Sequence, residues 1–231
     1  MRKLGFLLFF IAVFTVELVA QKQANWWYFG NNAGLNFNTM SAATHPVPLG
    51  MSNGAMRTTE GCASISDVNG NLLFYTDGIR VWDARHMVMP NGTGLMGNSS
   101  STQSGVIVPD PSNKKKFYVF TADHGGAPNH NGLRYSVVDM TLNSGNGDVV
   151  TSNKNTLVFA PCAERITATK ITSANGFWVV AQELGANKYR AYQVTSAGVA
   201  TTPTTTTIGP TLTGTSFLGY GYWPQTGYGN S

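Results

Sequence analysis

Three polar residues, Glu60, Gln103 and Glu164, each stand at the start of an apolar stretch of similar plan. If those stretches are the inner strands of sheets arranged about an axis, the three side chains form a polar arc at one mouth of a central channel, where propeller proteins commonly hold small ligands. The alternative is that each residue caps its own strand through local hydrogen bonds. Side chains converging on the axis would favour a site, and side chains bonded within their own sheets would favour capping. Asp123, His124 and His130 share one loop and offer three oxygen or nitrogen donors, but the histidines are not at helical i, i+4 spacing and no outer hydrogen-bond partner can be named, so no metal is expected. Asp67-Val68-Asn69-Gly70-Asn71 alternates oxygen donors before a glycine, as calcium loops do, yet lacks the downstream bidentate glutamate; a hairpin turn held by its own Asx side chain explains the same residues. It also lacks the serine, aspartate and glycine offsets of sialidase Asp-box turns. No Gly-x-Ser-x-Gly occurs, and Cys62 and Cys162 lie in apolar strand context rather than beside a histidine. No catalytic residue and no cofactor is expected.

The elements that must position these residues are short strands joined by tight turns. Cys62 to Asp67 alternates small and apolar residues, Asn69-Gly70 reverses the chain, Asn71 to Thr76 returns, and Asp77-Gly78 turns it again into Ile79, Val81 and Trp82. A second copy reads Gly105 to Pro109, a turn from Asp110 to Lys115, Phe117 to Thr121, a loop from Asp123 to Asn131, Leu133 to Asp139 and Val149 to Phe159. The third runs Ile166 to Ile171, Phe177 to Gln182, Tyr189 to Val194 and Val199 to Ile208. The first turns of the copies, at Asn69, Asn113 and Asn175, are 44 and 62 residues apart. A three- or four-stranded meander cannot bury both faces alone, so the copies must stack. The innermost strands are expected at Cys62 to Ser66, Gly105 to Pro109 and Thr167 to Ile171. Asn25 to Asn38 reads as a hairpin or pair of edge strands, Thr39 to Met56 as a loop, and Gly214 onward as the inner strand of a further copy. Nothing has helical period over a useful length. The fold class is therefore all-β, a β-propeller in the form of an incomplete, open arc of about three to four blades.

Arg2 and Lys3 followed by the apolar run from Leu4 to Val16 mark residues 1–20 as a signal peptide, with a cut before Gln21 and residues 21–231 as the propeller domain. The run is shorter than a bilayer span of roughly 20 residues. Removing Arg2, Lys3 and Glu17 from 15 basic and 11 acidic residues leaves a net charge of +3, which is no nucleic-acid footprint. Lys114-Lys115-Lys116 is the one basic cluster and reads as a solvated turn. Export permits Cys62 and Cys162 to pair, but two buried free thiols fit as well, and only geometry decides.

NWWYFGNNAGLNFN, EGCASISDVNGNLLFYTDGIRVWDARHMVMPNG, SSSTQSGVIVPDP and GLRYSVVDM, in that order, resemble the amino-terminal propeller of secreted Bacteroidetes proteins of the gliding motility-associated or type IX secretion sorting-domain kind. The resemblance covers essentially the whole chain after residue 20. It implies export to the cell surface or medium and a non-enzymatic adhesive or scaffolding role, with a surface polysaccharide or protein as ligand. The alternative function is a carbohydrate-active propeller, either a lectin or a glycoside-cleaving enzyme. Proteins of that family continue into further blades and a sorting domain, so this sequence reads as a piece of a longer one. Its amino-terminal strands, Trp26 to Phe29 or Leu35 to Phe37, are then expected to lack carboxy-terminal partners and either to pair with other segments or to leave an exposed edge, with an apolar face of Trp26, Trp27, Tyr28, Phe29 and Phe37 through which the chain associates.

Overall fold

A computed structural model describes residues 22–40, 47–125 and 130–211. The segment read as a signal peptide, the stretch from Gly214 onward and the centre of the loop after Asp123 lie outside the described residues. The described residues form seventeen strands: β1 Trp26–Phe29, β2 Ala33–Met40, β3 Pro48–Met51, β4 Ala63–Ser66, β5 Leu72–Thr76, β6 Arg80–Asp83, β7 Val88–Thr93, β8 Gly105–Asp110, β9 Asn113–Ala122, β10 Leu133–Asp139, β11 Asp148–Val149, β12 Thr156–Phe159, β13 Cys162–Lys170, β14 Phe177–Glu183, β15 Lys188–Thr195, β16 Gly198–Val199 and β17 Thr204–Thr207. The helix among the described residues amounts to three single 3₁₀ turns at Lys22–Ala24, Asn143–Gly145 and Thr151–Asn153.

All pairing is antiparallel and divides the strands, in chain order, into four sheets: β1-β2-β3, β4-β5-β6-β7, β8-β9-β10-β11 with β12 also on β10, and β13-β14-β15-β16 with β17 also on β15. The all-β class and the stacked meanders are as expected from the sequence. The unit around Asp67 has four strands rather than three, because Val88–Thr93 pairs with β6 despite Pro90 and Gly92. β7 is an edge strand, where a missing proline N–H is tolerated. The segment read as a loop from Thr39 to Met56 contains β3 for the same reason, with Pro48 as the first residue of another edge strand. Expected single strands over Val149–Phe159 and Val199–Ile208 are each split in two. The first is interrupted by the 3₁₀ turn at Thr151–Asn153 and by Asn155 at φ 57°, the second by Pro203, which has no N–H to donate. The three lysines belong to the start of β9, and Lys116 reaches Asp139 at 3.5 Å.

Because side chains alternate across a strand, each inner sheet serves two cores. Along β9, Phe117 and Val119 face the second sheet, while Phe120 and Ala122 face the fourth. Phe74 and Val81 pack toward the third sheet, and their neighbours Tyr75 and Trp82 toward the first. The core between the third and fourth sheets is the largest, joining Val106, Val108, Phe120 and Phe159 to Ile166, Val179, Tyr192 and Val194. The first strands of the sheets lie side by side, β1 against β4, β4 against β8 and β8 against β13.

The amino-terminal hairpin does not wait for distant partners: β1 and β2 join β3 in a sheet of their own. Tyr28 is buried against the second sheet and Trp26 half-buried beside it, so the apolar side chains of β1 left to solvent are Trp27 and Phe29, at 46% and 37% exposure, while Leu49, 49% exposed, pairs with Asn36 and lies on the opposite face of the sheet. Both cysteines are free thiols, Cys162 buried and Cys62 half-buried. Burial pushes the Cys62 thiol up to about 11, with nearby Asp77 adding to the shift, and pushes Cys162 higher still.

Two outcomes test this packing. Phe120→Ala should cost about 3–5 kcal/mol, read as a lower urea midpoint, whereas Trp27→Ala should stay within about 0.5 kcal/mol of the parent. At pH 8 both thiols should react slowly with a disulfide reagent in the native protein and rapidly in urea, since only the thiolate attacks and burial suppresses it.

Candidate functional site

Gln103 and Glu164 are joined by the structure, but through the seam between sheets. Gln103 Oε1 accepts from the backbone N–H of Ile166 at 3.0 Å. Glu164 Oε2 accepts from the backbone N–H of Thr102 at 2.8 Å and from its hydroxyl at 2.9 Å, and Oε1 accepts from Gly125 N–H at 2.8 Å. His124 Nε2 lies 3.7 Å from the same Oε1. Glu164 is 6% exposed and sits inside β13 at a bulge rather than ahead of the strand. A buried carboxylate needs several donors to offset the loss of its hydration, and these three supply them. Glu60 is exposed; its neighbour Gly61 donates to Ser101 O at 3.1 Å and packs so closely that a Cβ there would lie 2.1 Å from Ser104 N. The starts of the three first strands are thus laced to one another, a third arrangement beside an axial site and a local cap.

Other buried carboxylates do similar work. Asp148 takes Asn91 N–H and side-chain amide at 2.8 and 2.6 Å, clasping the second sheet to the third. Asp123 takes the N–H groups of His124 and Asn131 and the amide of Asn98. Among the described residues, no group of three His, Cys, Asp or Glu side chains is placed to hold a metal ion. Asp67 holds its turn as the Asx pattern predicts, with Oδ1 accepting from Asn69 and Asn71 N–H, both at 2.8 Å. These bonds keep its carboxyl below the usual range, against a desolvation that acts the other way.

A further concave feature lies elsewhere, between the first and second sheets. It is a groove of about 600 Å³ lined by Trp26, Tyr28, five asparagines (Asn36, Asn38, Asn53, Asn69 and Asn71), Gly70, Leu72, Ala84 and His86. β1 and β2 provide the rings and two amides, the segment after β3 provides Asn53, and the turns after β4 and β6 provide the rest. Under it runs a ladder of rings. Trp26 and Tyr28 stack at 6.1 Å, Tyr28 and Tyr75 at 4.6 Å, and Tyr75 and Trp82 at 5.5 Å, with His86 edge-on to Tyr28 at 5.2 Å.

A hydrogen-bond chain fixes the polar rim. Tyr28 OH donates to Asn53 Oδ1 at 3.2 Å, which leaves the Asn53 amide NH₂ as donor to His86 Nε2 at 3.0 Å. The proton of a neutral His86 therefore sits on Nδ1 and points to the Tyr75 oxygen 3.1 Å away. Burial lowers the His86 pKa, with Asp83 pulling the other way, and burial pushes the Tyr75 phenol up to about 12. His86 and Tyr75 are accordingly uncharged near neutral pH. At the other end, Gly70 O accepts from Trp26 Nε1 at 2.9 Å and from Asn38 Nδ2 at 2.7 Å. Gly70 has φ 87°, and a Cβ there would fall 2.2 Å from Asn38 Oδ1, so both backbone conformation and space require glycine.

The sequence marked the aromatic cluster but not this groove. Asn53 and His86 carry no local motif, and the only signal was asparagine density in NNAGLNFN and DVNGN. No protein-family model, no curated protein and no solved structure matches the chain.

Glu164→Ala should lower stability by about 2–4 kcal/mol in urea unfolding, because the buried Gly125 N–H loses its acceptor and the two bonds to Thr102 across the seam are lost. Glu60→Ala should change it by less than about 0.5 kcal/mol.

Proposed function

We propose that the chain is an exported, non-enzymatic binding or adhesion module, a β-propeller arc working at or beyond the cell surface. The observation that carries this reading is where the polar chemistry goes. Asp83, Asp123, Asp139, Asp148 and Glu164, all buried, are committed to backbone and side-chain donors in turns and sheet seams. What the chain offers a partner is shaped surface, in the neutral groove and in the exposed Trp27 and Phe29 face. The propeller reading is supported by four meanders in chain order whose first strands neighbour one another. No helix of the described residues is long and apolar enough to cross a membrane.

Beads coated with the full chain, presented to surfaces carrying bacterial capsular polysaccharide or surface protein, test this. Retention without the appearance of new reducing ends is expected. Release of sugar from the polysaccharide would replace the module reading with that of a glycoside-cleaving enzyme.

A further inference from the structure

We infer that the groove between the first and second sheets is a binding site for a neutral oligosaccharide. The inference rests on the binding-module reading and names its ligand class. Three properties of the lining converge on it. The groove is uncharged: five carboxamides, two aromatic rings and a histidine held neutral face it, with no carboxylate or ammonium among the lining residues. A charged ligand would give up its hydration there and find no counter-charge, while a wholly apolar one would strip water from the N–H groups and lone pairs that the amides still have to spare.

Each carboxamide presents a donor and an acceptor on one rigid plane, which is the complement of a sugar hydroxyl, itself donor and acceptor. The half-buried Trp26 ring supplies an apolar face of the kind that the C–H side of a pyranose needs, and the volume is that of a small-molecule site. A peptide with comparable polarity would satisfy the amides too, but its side chains call for apolar sockets or charged partners, and the groove adds only Leu72 and Ala84 to its rings.

The third property is pre-organisation. Asn38 is held by Asn25 and Gly70, Asn53 by Tyr28 and His86, and Asn71 by Asp67. Side chains already fixed lose little rotamer freedom when a ligand arrives, so more of the contact energy appears as affinity.

Affinity electrophoresis of the full chain through native gels containing galactomannan, dextran or soluble starch, with alginate as the acidic comparison, tests the site. At least one neutral polymer should retard the parent protein. Asn69→Trp, at an exposed turn position that lines the groove, should fill it and weaken that retardation at least tenfold. Val68→Trp, beside it and 65% exposed, should bind as the parent does, and both variants should unfold at the parent's urea midpoint.

Retardation of Asn69→Trp equal to the parent would overturn the groove assignment and leave the module reading standing. Retardation by alginate alone, or capture by a neutral Gly/Gln peptide in place of the polysaccharides, would overturn the ligand class. A parent protein that no gel polymer retards, but whose coated beads still adhere, would also remove the oligosaccharide site and spare the module. Failure of both bead adhesion and retardation would sink the two readings together.

Discussion

Two-sided burial is the constraint on which this structure depends. A strand whose successive side chains point to opposite faces, and whose successive residues are both apolar, must have a neighbour on each side. Phe74-Tyr75, Val81-Trp82 and Val119-Phe120 are such pairs, and each sends one member into one core and the next into another. Sheets of three to five short strands become stable only as a stack, and the order of the stack follows the order of the chain.

Apolar packing brings the sheets together without fixing their offset, and that is left to polar ties. Asp148 with Asn91, Glu164 with Thr102 and Gly125, and Gln103 with Ile166 each cross a seam at hydrogen-bond distance. Lys154 and Asn155 add bonds to the carbonyls of Asn91, Thr93 and Gly94. A slip of one sheet against the next would leave buried carboxylates without donors, at a cost larger than any gain from repacking methyl groups. The same logic explains why acidic residues that look like candidates for chemistry serve the architecture instead.

Local patterns were legible in the sequence and juxtapositions were not. Asn69-Gly70, Asp77-Gly78 and the run of β-formers Phe117 to Thr121 announced their turns and strands, because turn chemistry and strand propensity are written within a few residues. Edge strands at Pro48–Met51 and Val88–Thr93 were hidden because proline and glycine argue against strands in general and are tolerated at an edge, a distinction that requires knowing the neighbours. Glu60, Gln103 and Glu164 were found by repetition, yet the partners that define Gln103 and Glu164 lie about sixty residues away in sequence. The groove was harder still, since Asn36, Asn53, Asn69 and His86 come from four separate segments brought together by the docking of two sheets.

The three cores also bear on how such a chain acquires its shape. Each core is shared by consecutive sheets, and each sheet is a meander whose strands mostly pair with the next in sequence. Loop closure is therefore short at every step, and the sequence separation that a nascent structure must bridge does not grow as more of it forms. A polypeptide that emerges amino terminus first can settle sheet by sheet, each finished meander offering an apolar template to the one behind it. Exposed apolar surface is then confined to the most recent face, so the interval during which an unfinished chain is sticky is set by the delivery of one sheet and not by that of the whole protein.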